Sequence, residues 1–166
     1  MKTLLILRHA KAASDRPIAD HERPLTVLGE SQAREVGRWL RGSELTPGVI
    51  VSSTAVRARC TAELVAAACG YYGKVQATDA LYGAVREIEI QQMVHVLHGI
   101  DEAGEPAMIV GHNPDLERLI AALTRVHERL STATVAQLEL NIARWADLQA
   151  DGQHTLVRVR NCPQEL

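Results

Sequence analysis

The sequence predicts an α/β fold, a three-layer α/β/α domain with a central mixed, mostly parallel sheet. Short apolar runs alternate with segments of helical spacing as far as about residue 124, the pattern of a sheet with helices on both faces. Two later stretches, 134–140 and 154–159, have strand-like patterns and predict antiparallel strands added at one edge. The length of 166 residues suits one domain, so we expect a single unit over 1–166.

The first predicted strand is the apolar run 3–7, which is short and uninterrupted, as a buried strand is. A polar, charged loop over 12–24 follows and is a candidate for part of the pocket rim, although most of its charges are expected to be simply solvated. Thr26 is a good N-cap, and apolar residues then recur at helical spacing, so a helix is expected over 26–42.

A second buried strand is predicted at 49–51. Ser52 and Ser53 close it and are expected to cap a helix over 54–69. Arg57 lies in the first turn of that helix. It is therefore expected near the carboxyl end of the second strand.

The second half of the alternating region repeats this pattern. A weak strand is predicted at 74–77, a helix at 85–98 and a buried strand at 107–110. Asn113 is expected to be the N-cap of the following helix, with Pro114 in its first position. This junction is the clearest strand–loop–helix signal in the chain.

Composition excludes several classes of function. The net charge of −2 argues against broad nucleic-acid binding, and no stretch approaches the roughly 20 apolar residues of a membrane span. The cysteines are odd in number and show neither zinc-site nor disulfide spacing, which favours a reducing cytoplasm. We therefore expect no metal, no cofactor, no membrane and no nucleic-acid partner, and the oligomeric state stays open.

Polar side chains follow three of the predicted strands directly. Arg8 and His9 follow the first, the segment from Ser53 to Arg57 follows the second, and His112 and Asn113 follow the fourth. Because ligands of open α/β sheets bind at the carboxyl ends of the strands, these side chains are expected to form one pocket.

Such a pocket suits a phosphoryl group. The planar fork of an arginine binds phosphate oxygens in pairs, and a neutral imidazole can attack phosphorus and form a covalent intermediate. A second imidazole can hydrogen-bond the oxygens as charge develops. The neighbouring arginines are expected to lower the pKa of His9 below its usual value of about 6.5, which keeps it neutral.

Four motifs in this order resemble the histidine phosphatase superfamily, and within it the small SixA-type phosphohistidine phosphatase branch. The Trp-Ala-Asp-Leu segment near the end also resembles actinobacterial members, so the resemblance spans nearly the whole chain. The motifs are Leu-Arg-His-Ala-Lys (7–11), Arg-Pro-Leu-Thr-x-x-Gly (23–29), Ser-x-x-x-Arg-Ala-x-x-Thr (53–61) and Val-Gly-His-Asn-Pro (110–114).

The resemblance implies a phosphoglycerate mutase-like fold and a set of site residues. It implies His9 as the phosphate-accepting nucleophile, with Arg8, Arg57 and His112 completing the phosphate pocket. Three further residues are candidates for substrate binding: Arg23, which matches a phosphate-facing arginine of the branch, Asn113 at the pocket edge and Lys11 beside the first strand.

The chain departs from the superfamily pattern at two points. The usual Arg-His-Gly is Arg-His-Ala, and the methyl of Ala10 is tolerated if its backbone does not need a positive φ. The acidic proton donor of larger members has no clear counterpart, and Glu87 is the candidate in the corresponding region. An imidazole leaving group needs such a donor less than an alkoxide does.

Three hypotheses follow for function. The first is a metal-independent phosphatase that forms a phospho-His9 intermediate and acts on protein phosphohistidine. The second is a phosphatase of the same mechanism acting on a small phosphate ester, with Glu87 or a loop acid (Asp15, Asp20 or Glu22) as proton donor. The third is a non-catalytic phosphate-binding module. The partner is accordingly a phosphorylated protein or a small phosphorylated molecule.

Overall fold

The structure is a computed structural model and describes residues 1–83 and 86–164. Its strands are β1 (Lys2–Arg8), β2 (Val49–Ser53), β3 (Gln76–Thr78), β4 (Ala107–Gly111), β5 (Val135–Leu140) and β6 (Thr155–Arg160). Its α-helices are α1 (Val27–Gly42), α2 (Val56–Cys69), α3 (Ile90–His98) and α4 (Asp115–Thr124). Short 3₁₀ turns occupy Asp20–Glu22, Asp79–Leu81 and Trp145–Asp147.

The six strands form one sheet in the order β3-β2-β4-β1-β5-β6. The first four strands in this order run parallel, while β5 is antiparallel to β1 and β6 is antiparallel to β5. The predicted mixed, mostly parallel sheet is therefore confirmed, as are the late antiparallel strands. Arg8 is in register with Gly111, so β1 and β4 end side by side.

The continuous apolar run of β1 is explained by burial on both faces of the sheet. Leu4 and Ile6 belong to the apolar cluster formed with α3 and α4. Leu5 and Leu7 belong to the cluster formed with α1 and α2. All four are fully buried, so the alternation of side chains along one strand serves two helix layers.

The first turn of α1 packs against the backbone of the segment that follows His9. The hydroxyl of Thr26 accepts a hydrogen bond from the Gly29 amide at 3.0 Å, which confirms Thr26 as the N-cap. A Cβ on Gly29 would overlap the backbone carbonyl of Lys11. Glycine at this position therefore lets the first turn of α1 pack against the backbone of the segment that follows β1.

Two predicted element boundaries are displaced. The weak strand expected at 74–77 lies at Gln76–Thr78. The helix expected over 85–98 begins at Ile90, and the first of its predicted residues, 85, lies outside the described residues together with 84. No helix among the described residues is long and apolar enough to span a bilayer.

The predictions that a serine caps α2 and that Asn113 caps α4 are both wrong. The α2 helix begins at Val56, and the hydroxyl of Ser53 accepts from the Ala55 amide at 3.2 Å without capping the helix. The α4 helix begins at Asp115, and the side-chain amide of Asn113 bonds elsewhere. In each case the polar side chain makes a tertiary contact and does not cap the helix: Ser53 bonds to His112, and Asn113 bonds to Leu130.

Candidate active site

The backbone beyond β1 is held by neighbouring segments. The amide of His9 donates to the carbonyl of Gly111 at 3.1 Å, and the amide of Arg8 donates to that of Thr134 at 3.2 Å. The amide of Ala133 donates to the carbonyls of both Arg8 and His9. These bonds fix Arg8 and His9 at the carboxyl edge of the sheet.

The imidazole of His9 is buried and its tautomer is set by the backbone. Its Nδ1 lies 2.8 Å from the carbonyl oxygen of Ala10. Because a carbonyl only accepts, Nδ1 carries the proton and Nε2 carries the free lone pair. Burial lowers the pKa of His9 to about 4, and the charges of Arg57, Arg8 and Arg23 lower it further. The hydrogen bond to Ala10 acts in the opposite direction but does not outweigh them.

Ala10 occupies the position where the superfamily pattern has glycine. The non-glycine residues with positive φ in the described ranges are Glu44, Arg125 and Ala133, so Ala10 carries no such strain. Its side chain is fully buried. The expectation that a methyl is tolerated here is confirmed.

The guanidinium of Arg57 faces His9 from the first turn of α2. Its Nε donates to Nε2 of His9 at 3.4 Å. The hydroxyl of Thr61 donates to the Arg57 carbonyl at 2.6 Å and accepts from the amide of Ala10 at 3.0 Å. Thr61 thus ties α2 to the backbone beside His9, which explains the spacing between Arg57 and Thr61 in the motif.

The imidazole of His112 lies beside that of His9, with ring centroids 5.1 Å apart. Its Nε2 is 2.8 Å from the hydroxyl of Ser53, which already accepts from the amide of Ala55. The hydroxyl of Ser53 can donate its proton to Nε2, and in that tautomer Nδ1 of His112 carries the ring proton and is a donor. Burial lowers the pKa of His112 to about 3, with further contributions from His9 and Arg57.

Two buried donors remain available in this region. Nδ1 of His112 and Nε of Arg8 have no hydrogen-bond partner among the described residues. Nη1 of Arg8 donates to the carbonyl of Leu130 at 2.9 Å, and the side-chain Nδ2 of Asn113 donates to the same carbonyl at 2.7 Å. Buried polar groups are normally paired, so the unpaired donors mark where an anion would bind.

Arg23 acts on this group, whereas the side chains of Lys11 and Glu87 make no hydrogen bond or ion pair with it among the described residues. Nε of Arg23 donates to Asp20 at 3.1 Å, and its charge acts on His9. The side chain of Lys11 is exposed, and only its backbone is tied to neighbouring segments. Glu87 is 62% exposed and pairs with Arg118 at 3.6 Å.

Sequence reasoning treated Asp20 as one of three loop acids and overlooked Tyr82. The carboxylate of Asp20 accepts from Arg57, from Arg23 and, at 2.8 Å, from the Tyr82 hydroxyl. The Tyr82 ring stands edge-on to His112 with centroids 5.6 Å apart. The spacing of three residues between Asp20 and Arg23 was a sequence signal for their contact. Nothing in the local sequence indicated that Tyr82 would reach the pocket.

The arrangement has the chemistry of an anion site with a nucleophile in it. A neutral imidazole presents a free lone pair among several guanidinium groups, and a second neutral imidazole lies beside it. In the described ranges no group of three or more His, Cys, Asp and Glu side chains has the geometry of a metal site. The cations that act on His9 are Arg57, Arg8 and Arg23.

Comparison with known families decides the assignment. The model of the histidine phosphatase superfamily (branch 1) matches residues 4–131 of this chain. The chain belongs to the histidine phosphatase superfamily. An uncharacterized protein of Mycobacterium tuberculosis is 30% identical over 154 residues, covering 86% of this chain and 92% of that protein.

Solved structures refine the position within the superfamily. A structure named putative phosphohistidine phosphatase SixA, from Nakamurella multipartitia, superposes with a TM-score of 0.79 at 31% identity, covering 96% of this chain and 95% of that one. The protein histidine phosphatase SixA complexed with tungstate gives 0.78 at 22% identity, with 95% of each chain covered. The chain is a phosphatase of the SixA-type branch with the phosphoglycerate mutase-like fold that the motifs predicted.

Proposed function

We propose that this phosphatase acts on protein phosphohistidine and forms a covalent phosphohistidine on Nε2 of His9. The observation that carries the proposal is the unprotonated Nε2, which the Ala10 carbonyl secures by holding the proton on Nδ1. The low pKa of His9 keeps this nitrogen unprotonated at neutral pH. A nitrogen in that state can attack phosphorus without a base.

The arginines and His112 take complementary roles in this proposal. Nε of Arg57, 3.4 Å from the attacking nitrogen, binds an oxygen of the incoming phosphoryl group. The unpaired buried donors, Nε of Arg8 and Nδ1 of His112, bind further oxygens and stabilise the charge that develops on them. These side chains supply the positive charge, so the proposed reaction is independent of metal.

The first step transfers the phosphoryl group between two imidazoles. The Nε2 lone pair forms the new P–N bond while the P–N bond of the substrate breaks. When the other ring nitrogen of the substrate carries a proton, the leaving group departs as neutral imidazole. Water then attacks the phosphorus of phospho-His9, which releases inorganic phosphate and returns the free His9.

Two of the acids in the second hypothesis, Glu87 and Asp20, are in states that support phosphohistidine as the substrate over an alkyl ester. Glu87 is engaged by Arg118 and exposed to solvent. Asp20 is ionised, because its pKa is lowered to about 2 despite partial burial, by the hydrogen bond from Tyr82 and by the arginines. An alkoxide leaving group loses about 10²–10⁴-fold in rate without a general acid, whereas a protonated imidazole does not need one.

The substrate is tested by comparing a phosphohistidine-bearing phosphotransfer domain, phosphoramidate and a panel of sugar, nucleotide and amino-acid phosphate esters. We expect the phosphohistidine protein to give the highest kcat/KM. A strong preference for one ester would overturn the proposed substrate and leave the covalent mechanism standing.

The mechanism is tested by quenching turnover and trapping the enzyme. Phosphohistidine is acid-labile and base-stable, so we expect a base-stable phosphoenzyme that is absent in His9→Ala. The matched control is His95→Ala, which removes an exposed imidazole from α3. An unchanged rate in His9→Ala would exclude His9 as the nucleophile.

A further inference from the structure

The side chain of Asp20 lies between two arginines of the proposed phosphate pocket. Its Oδ1 accepts from Nε of Arg23 at 3.1 Å, and its Oδ2 accepts from Nη2 of Arg57 at 3.1 Å. The backbone carbonyl of Asp20 accepts from Nη1 of Arg57 at 2.7 Å. One residue therefore holds both terminal nitrogens of the Arg57 guanidinium.

This grip fixes the direction in which Arg57 points. A guanidinium is planar, so holding both Nη atoms defines its plane and directs Nε towards Nε2 of His9, 3.4 Å away. Asp20 uses two of the five N–H groups of Arg57. The N–H of Nε and one on each Nη remain for a phosphoryl group, so the grip is compatible with substrate binding.

The carboxylate also places a negative charge beside the proposed anion site. Tyr82 donates to Oδ2 at 2.8 Å and adds a third donor to those of Arg57 and Arg23. Partial burial raises the pKa of Asp20, but these three partners outweigh it and lower the pKa to about 2. The group is thus a pure acceptor at neutral pH and repels any anion bound by the same arginines.

We propose that Asp20 is a positioning residue of the phosphatase reaction, which aims Arg57 at the phosphoryl group on His9 and limits how tightly the pocket holds free phosphate. The inference rests on the proposed role of Arg57 in phosphate binding. Alignment of Arg57 assists the transfer step, because its N–H groups must reach the phosphoryl oxygens on which charge develops. The negative charge serves release of inorganic phosphate.

The test is Asp20→Asn, whose amide keeps one acceptor oxygen and removes the charge. We measure kcat and KM with phosphoramidate, and the dissociation constant of inorganic phosphate by calorimetry. The expected result is a kcat lower by about 10–100-fold with phosphate bound at least as tightly as by the wild type. Asp20→Glu keeps the charge and is expected to recover part of kcat.

The matched control is Glu63→Gln, which removes one negative charge from an exposed position of α2, the helix that carries Arg57. Its kcat and phosphate affinity are expected to match the wild type. Because the Asp20 side chain is itself 55% exposed, Asp20→Asn is expected to fold, and thermal unfolding checks this.

Two results would overturn the inference. An unchanged kcat in Asp20→Asn shows that Arg57 needs no positioning. A kcat and a phosphate affinity that fall together show a merely structural role. Arg57→Ala separates this failure from that of the proposed pocket: normal phosphate binding in Arg57→Ala contradicts the pocket itself, whereas lost binding there with wild-type behaviour of Asp20→Asn contradicts only the role of Asp20.

Discussion

Nε of Arg57 donates to Nε2 of His9 across 3.4 Å, although the two residues lie on different elements, α2 and the end of β1. The distance is long for a hydrogen bond between nitrogens. It places the guanidinium beside the nitrogen that would accept the phosphoryl group. A phosphoryl group bound to His9 would take this N–H on one of its oxygens. In the proposed mechanism, His9 is therefore the nucleophile and Arg57 its electrostatic partner.

Replacing Arg57 by alanine is expected to lower kcat/KM by about 10²–10³-fold, the usual cost of losing one transition-state donor. Arg57→Lys is expected to recover little, because an ammonium cannot keep the fork geometry. Steady-state kinetics with phosphoramidate measure both. Arg59→Ala, an exposed arginine of the same helix, is the control, and activity retained in Arg57→Ala would remove Arg57 from the site.

The pH dependence follows from the low pKa of His9. The attacking imidazole is neutral above a pKa of about 4, so the acid limb of kcat/KM is expected near pH 4 and not near its ordinary value of 6.5. Rates with p-nitrophenyl phosphate, whose leaving group needs no acid, and an NMR titration of the His9 ring measure this. An acid limb near pH 6.5 would contradict the buried, neutral His9.

The same shifts make the folded protein less stable in acid. An unfolded chain takes up protons at His9 and His112 near pH 6.5, whereas the folded protein does so only near pH 4 and pH 3. The unfolded state thus binds more protons below about pH 6.5, and the free energy of unfolding is expected to fall as the pH is lowered through that window. Denaturant titrations of the wild type and of His9→Ala at several pH values measure this. The other titrating groups are common to both proteins, so the difference between their pH dependences gives the contribution of His9.

Glu87→Gln is expected to leave kcat/KM on phosphohistidine protein unchanged, because Glu87 is exposed and paired with Arg118. A general acid would show a loss of about 10²–10⁴-fold. Loss of the ion pair itself costs little, since exposed pairs contribute only about 0–1 kcal/mol to stability. A large fall in rate would restore Glu87 as the proton donor and favour a phosphate ester as substrate.

Ser53→Ala is expected to lower kcat/KM by about two- to tenfold, equivalent to one hydrogen bond of about 0.5–1.5 kcal/mol. Without the hydroxyl, Nε2 of His112 loses its donor and the ring proton is no longer held on Nδ1. Nitrogen NMR of the His112 ring reports the tautomer directly. Ser52→Ala is the matched control, because the neighbouring hydroxyl donates only to the Ser53 carbonyl; an unchanged tautomer in Ser53→Ala would contradict the assignment.

Gly29→Ala is expected to reduce the free energy of unfolding by about 1–3 kcal/mol, the usual cost of overpacking. The added methyl would overlap the carbonyl of Lys11 and push α1 away from the segment after His9. Gly42→Ala, where an added Cβ meets nothing within 4 Å, is the control and is expected to be neutral or stabilising. Chemical denaturation of the two variants measures the difference, and equal stabilities would contradict the close approach.

The sequence by itself determined the sheet, the helices, the strand ends next to Arg8, His9 and His112, and the start of the helix that carries Arg57. Uninterrupted apolar runs that alternate with helices suit parallel strands buried on both faces, and parallel strands bring their carboxyl ends to one edge. The same local logic failed at Ser53, which binds His112 and does not cap a helix. A hydroxyl can serve either partner, and only the approach of the two strands selects between them.

The tertiary structure alone decided how the pocket is completed. Asp20 joins Arg57 and Arg23 across 37 and 3 residues of sequence, and Tyr82 reaches Asp20 across 62. Contacts of long separation leave no periodicity in the chain, so neither hydrophobic pattern nor turn chemistry could indicate them. The lone pair on Nε2 of His9 also depends on the folded backbone, because the Ala10 carbonyl sets the tautomer only in this conformation.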